Sequence, residues 1–166
     1  MPKASVKRLI ECKKDQLIDL VLDIEKYPEF VPFCLDAHVY EKNEKDDLIS
    51  IIADLTIGKG PFKDTYKSDV KFYKKDNSIK VTNIGGPLNH LENTWLFSDH
   101  DNGTEISFDI DFEIENKFLN IVMAKSFQFG LDKIADAFQE RAQKLFNKEW
   151  NLLQQIINLD NFIYYI

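Results

Sequence analysis

Phe127-Gln128-Phe129-Gly130-Leu131-Asp132-Lys133-Ile134-Ala135-Asp136-Ala137-Phe138-Gln139-Glu140-Arg141-Ala142-Gln143-Lys144-Leu145 is the stretch that decides the fold. Phe127, Leu131, Ile134, Phe138 and Leu145 recur at helical spacing, with Ala135 and Ala142 beside them. Asp132, Lys133, Asp136, Glu140, Arg141 and Lys144 fall mostly on the other side. Continued from Asn116 to about Lys148, the pattern predicts one amphipathic helix of about eight turns. A lone helix of this kind must bury its stripe on something.

The preceding hundred residues supply the partner, because they read as strands. Asp36 to Lys42 is one, turned by the charged run Asn43 to Asp47. Ile49, Ile51, Ala53, Leu55 and Ile57 share a face of the next, and Gly58-Lys59-Gly60-Pro61 reads as a hairpin turn rather than a nucleotide loop. Phe62, Tyr66, Val70 and Phe72 face inward from a third, with Lys63, Lys67 and Lys71 outward. Ile79 and Val81 precede Gly85-Gly86-Pro87; Leu91, Trp95 and Phe97 follow it. Asp101-Asn102-Gly103 predicts a type I′ hairpin. The last strand alternates cleanly, Ile106, Phe108, Ile110, Phe112 and Ile114 against Glu105, Ser107, Asp109, Asp111 and Glu113. One sheet face is wet and one buried.

Upstream, Ala4 to Cys12 reads as a strand and Lys14 to Asp23 as a helix with Asp15 as its cap. In Ile24 to Cys34, Pro28 and Pro32 break any long helix, leaving a short turn and an aromatic-rich loop. That loop serves either as a plug of core residues or as the lining of a ligand entrance. Helices segregated from an antiparallel sheet make the fold class α+β.

A chain of 166 residues fits one domain, and 13 Phe, 6 Tyr and 2 Trp leave much aromatic surface to hide. A net charge of −7 counts against DNA as a partner. Cys12 and Cys34 form no CxxC pattern, and the opening residues carry no secretory signal, so a reducing, cytoplasmic compartment is expected. No run approaches the ~20 apolar residues of a membrane span.

His38, His90 and His100 keep no metal-ligand spacing with each other or with cysteine, so no metal is expected. Asp109, Asp111 and Glu113 share a strand face, but it is the wet one, outside any pocket. No nucleophile motif or phosphate loop appears, and no catalytic residue is assigned. What remains is apolar bulk, as a fully packed core or as a cavity between curved sheet and helix.

Tyr27-Pro28-Glu29-Phe30-Val31-Pro32-Phe33-Cys34 is close to the pattern Tyr-Pro-x-Phe-Leu-Pro-Trp-Cys. Gly85-Gly86-Pro87-Leu88, Trp95-Leu96-Phe97, Asp111 to Lys117 and Ala137-Phe138-Gln139-Glu140-Arg141-Ala142 accompany it. With these motifs the chain resembles the coenzyme Q-binding branch of the START-like (polyketide cyclase and lipid-transport) superfamily, which includes the bacterial ribosome association toxins. Phe33 stands where that family usually has Trp, and Leu88-Asn89 replaces its more usual Phe-Lys.

The resemblance implies a helix-grip fold, a curved antiparallel sheet of six to seven strands around a long C-terminal helix. It implies binding and delivery of a polyisoprenoid quinone such as ubiquinone, with no catalysis and no catalytic cofactor, at the cytoplasmic or matrix face of a respiratory membrane. The expected pocket and lid are Tyr27, Pro28, Phe30, Pro32, Phe62, Tyr66, Trp95, Phe97, Phe112, Phe127, Leu131, Ile134 and Phe138. Two other functions share the fold. One is binding the large ribosomal subunit to block subunit joining, for which Lys59, Lys63, Lys67, Lys71, Lys74 and Lys75 offer a basic stripe. The other is cyclisation of an aromatic polyketide, for which Tyr66, Ser68 and Asn93 are the inward polar groups. The domain is expected to span residues 1–147. In 148–166, Trp150, Leu152, Leu153, Ile156, Ile157 and Leu159 keep helical spacing, as a packed tail or a membrane-surface anchor.

Overall fold

Period-two alternation through the middle of the chain becomes six consecutive hairpin-linked strands, and a seventh comes from the beginning. The computed structural model describes residues 3–59, 61–115, 117–147, 152–153 and 155–159, with every side chain among them except those of 62, 114, 119, 120 and 122–125. The strands are β1 (Lys3–Ile10), β2 (Cys34–Lys45), β3 (Leu48–Lys59), β4 (Phe62–Tyr73), β5 (Ser78–Gly85), β6 (Leu88–His100) and β7 (Gly103–Ile114). They form one antiparallel sheet in the order β1-β7-β6-β5-β4-β3-β2. Helix α1 (Lys14–Leu22) and a 3₁₀ turn (Ile24–Glu29) link β1 to β2, and helix α2 (Lys117–Phe146) follows β7. This is a curved sheet with a long helix across it, the helix-grip arrangement.

Three local expectations are corrected. Lys13, not Asp15, holds the N-cap of α1, and its backbone N–H donates to Gln16 Oε1 at 3.2 Å. Asp15 lies in the first turn, where its charge complements the positive end of the helix. The β6–β7 turn is not type I′, which needs positive φ at both central residues. Positive φ falls on Gly103 (+145°) and on neither Asp101 nor Asn102. The neighbouring chain explains why: a Cβ on Gly103 would lie 2.2 Å from the Ile10 carbonyl oxygen, so glycine alone fits where β7 starts.

The third correction concerns α2. Leu131, Ala135, Phe138 and Ala142 are buried, and Phe127 and Ile134 half-buried, but Leu145 is 49% exposed. After Ala142 the stripe advances four residues rather than three, bringing Phe146 onto the core instead. Arg8 of β1 reaches Asp136 at 3.4 Å and Asp132 at 3.7 Å, and Gln128 Nε2 donates to the Ser5 carbonyl at 3.0 Å. These contacts set α2 along β1. Among the described residues no helix is long and apolar enough to cross a membrane. Leu152, Leu153, Ile156, Ile157 and Leu159 are helical and exposed, while Trp150 and 162–166 lie outside the described residues.

Candidate functional site

The concave face of the sheet has two halves of different character. At one end Ile79, Val70, Phe72, Trp95, Phe97, Ile106 and Phe108 are buried under Leu131, Ala135 and Phe138. Trp95 stacks on Phe108 with centroids 4.2 Å apart, and Phe138 meets Trp95 edge-on at 5.2 Å. At the other end Leu55, Ile57, Tyr66, Val81, Asn83, Leu91, Asn93 and Ile110 continue the same inward rows but remain only half-buried. Phe127 packs on Phe112 beside this second half, ring centroids 4.2 Å apart and the planes tilted by 41°.

The expected pocket residues divide along that line. Trp95, Phe97, Phe112, Leu131 and Phe138 are buried. Tyr66, Phe127 and Ile134 are half-buried, Phe62 has its side chain outside the described ones, and Pro28 is exposed. In the loop, Tyr27 and Phe30 meet Phe138 edge-on at 5.4 and 5.1 Å. The Tyr27 hydroxyl donates to the Val21 carbonyl. Arg141 holds Glu29 at 2.7 Å and lies 5.1 Å above the Phe30 ring. The loop is thus clamped through Phe30, whereas beyond it Pro32 is half-buried and Phe33 is exposed at φ +66°. A left-handed aromatic residue is strained by roughly 1–2 kcal/mol.

Two polar atoms on the half-buried end have no hydrogen-bond partner among the described residues. Asn83 Oδ1 and Asn93 Oδ1 are shielded from solvent and accept no hydrogen bond from any described residue. Ser68, opposite Asn83, is buried. The Tyr66 phenol is raised from its ordinary pKa by burial first and the Asp64 charge second, so it stays protonated at neutral pH. Asn83 escapes the sequence reading; carrying the period of two onward from Ile79 and Val81 would find it.

Two surface depressions have volumes of about 530 and 1130 Å³, and of the concave-face residues named above only Ile110 lines either. The first is lined by Lys3, Glu92, Asp109 and Asp111, the second by Lys13, Lys14, Asp15 and Asp99, among others. Their charged walls give an apolar ligand little to gain.

The sequence profile of the family described as polyketide cyclase/dehydrase and lipid transport matches residues 10–139. The chain belongs to this family. Among relatives, the ribosome association toxin RatA of Rickettsia prowazekii is 31% identical over 141 residues, 83% of this chain and 94% of that protein. The mitochondrial coenzyme Q-binding protein COQ10 of Dictyostelium discoideum is 32% identical over 135 residues, 80% of this chain but 64% of that one. An 18 kDa protein of Caulobacter crescentus superposes with a TM-score of 0.74 at 26% identity, over 87% of this chain and 98% of its own. A START superfamily protein of Mycobacterium smegmatis gives the same TM-score at 16% identity, over 87% and 99%, and speaks for the fold alone.

In this member of the family the two cysteines are free thiols, Cys12 half-buried and Cys34 buried. Burial pushes Cys12 up to about 11. Burial first and the Asp36 charge second push Cys34 up to about 11, opposed by a hydrogen bond with the Asp36 backbone. Raised values mean less thiolate at any given pH. Iodoacetamide at pH 8 is expected to alkylate both roughly 100-fold more slowly than a free cysteine, with the rate still climbing at pH 10. Rapid labelling levelling off near pH 9 would contradict the burial of both.

Proposed function

We propose that this protein binds a polyisoprenoid quinone, or a lipid like it, on the half-buried end of its concave sheet face, and delivers it to respiratory electron transport without transforming it. The observation that carries this reading is the graded concave face. Most of its side chains are apolar, one end is sealed by Phe138 and Trp95, and the other keeps Leu55, Ile57, Val81, Leu91 and Ile110 partly open beside α2. The name of the coenzyme Q-binding relative gives independent support. Burial of about 400 Å² of isoprenoid tail contributes about 10 kcal/mol before ordering costs, enough for micromolar binding.

In this reading Tyr66, Phe127, Leu131 and Ile134 line the tail's path. Trp95, Phe97, Phe112 and Phe138 form its floor and closed end. Tyr27, Pro28, Phe30 and Pro32 form a lid at its mouth, with the exposed Phe33 ring at the rim. Exposed Phe33, Phe118 and Ile121 favour brief contact with a membrane surface on the cytoplasmic or matrix side.

The test is mass spectrometry of lipid extracted from the protein purified from cells whose membranes contain quinone. About one quinone per chain is expected. An empty protein that also fails to reload from quinone-containing vesicles overturns the reading.

A second function, docking on the large ribosomal subunit, is favoured by the similarity to a ribosome association toxin along 94% of that protein. Much of the lysine stripe is already engaged within the chain, however. Lys74 pairs with Glu44, Lys75 with Asp47 at 3.3 Å and Lys71 with Asp69 at 3.4 Å, while Lys67 lies 4.5 Å above the Tyr40 ring. The three carboxylate partners lower the net positive charge of the stripe, so ribosome binding ranks second.

A further inference from the structure

We propose that Asn83 and Asn93 form a head-group seat demanding hydrogen-bond donors, so that the protein prefers the dihydroxy (quinol) form of its ligand to the quinone. This rests on the concave face being the isoprenoid-quinone site. The pairing of Val81 with Asn93 and Thr82 with Glu92 places Asn83 and Asn93 diagonally on neighbouring strands, on one face. Diagonal neighbours stand about 7–8 Å apart, a distance that a six-membered ring with oxygens at opposite ends can bridge.

The orientation of Asn83 is set by its other end. Its Nδ2 donates to the Leu88 carbonyl at 3.3 Å, which leaves Oδ1 as the free end. That oxygen only accepts. Asn93 presents a second unpaired oxygen among Val81, Leu91 and Ile110, positions where an aliphatic residue would fit as well. A buried acceptor without a donor is unfavourable, so a ligand that brings donors relieves the deficit. Quinone carbonyls are themselves acceptors and would face oxygen with oxygen. Quinol hydroxyls donate to both amides, and their oxygens still accept from Tyr66. No bond is made or broken, and the preference is one of binding alone.

The experiment compares the full-length protein's Kd for a short-tailed ubiquinone and for the same molecule kept as quinol under argon, in wild type, Asn83→Leu and Asn93→Leu. Wild type is expected to hold the quinol about tenfold more tightly. Each variant should bring the ratio towards one by losing quinol affinity, and the two variants guard against one failing to fold. Equal affinities in wild type, tighter quinone binding, or a ratio that survives in both folded variants overturns the inference while leaving the quinone site standing. Failure of wild type to bind either form overturns the quinone reading, and this inference with it.

Discussion

Phe138→Ala is expected to lower stability by about 3–5 kcal/mol, the range for deleting a fully buried aromatic side chain. Phe138 is 2% exposed and meets Tyr27, Phe30 and Trp95 edge-on at 5.4, 5.1 and 5.2 Å. Its ring is where three separate parts of the chain converge: α2, the loop after α1, and β6. Truncation removes its apolar area and the three edge-to-face contacts, each worth about 0.5–1.5 kcal/mol beyond burial. The surroundings collapse poorly, because Arg141 and Glu29 hold the loop on one side and the sheet is rigid on the other. Urea unfolding followed by far-UV circular dichroism should show a much lower midpoint with an unchanged slope. Phe138→Leu, which keeps part of the volume, should lose less. A loss below about 1 kcal/mol for the alanine variant would mean that this junction does not hold the helix to the sheet.

Gly103→Ala is expected to cost at least ~3 kcal/mol, far above the usual effect of adding one methyl group. The new Cβ would stand 2.2 Å from the Ile10 carbonyl oxygen and 3.0 Å from Glu11 Cα. Both are backbone atoms, so no side chain can swing aside, and φ of +145° is itself a conformation that alanine resists. The damage should spread from the adjacent pair Ile10–Thr104 into the rest of the β1–β7 ladder. Thr104 sits in this corner fully buried, its hydroxyl donating to the Cys12 carbonyl at 2.8 Å. Hydrogen exchange resolved by residue is the check: amides of β1 and β7 should lose protection ahead of those in β3 and β4. Uniform protection at wild-type stability would show that the corner shifts to accept the methyl group.

Sequence alone discloses the frame wherever periodicity is strict. Ile106, Phe108, Ile110, Phe112 and Ile114 alternate without a break, and β7 lies where that alternation predicts. The long helix is legible for the same reason, within a residue or two at each end. Turns are less legible, because the conformation at Asp101-Asn102-Gly103 is dictated by the backbone of Ile10 and Glu11, some ninety residues earlier. Leu145 and Phe146 show the related difficulty for helices. Both are apolar and adjacent, and only the packed neighbours decide which turns inward. The polar pair on the concave face is half legible. Asn93 stands between Leu91 and Trp95 and announces its direction, whereas Asn83 follows Ile79 and Val81 as a polar residue near the strand's end and is found only by carrying their alternation onward.

The sheet order also governs how the protein can be made. Strands β2 to β7 join successive neighbours, so each hairpin can close soon after its second strand leaves the ribosome. Strand β1 cannot, because its partner follows about a hundred residues later, and it waits roughly 5–20 s at ordinary rates of translation. The alternating Ala4, Val6 and Ile10 must stay free of other nascent chains for that time. The charged residues spaced between and beside them, Lys3, Lys7 and Arg8, are what make the wait survivable.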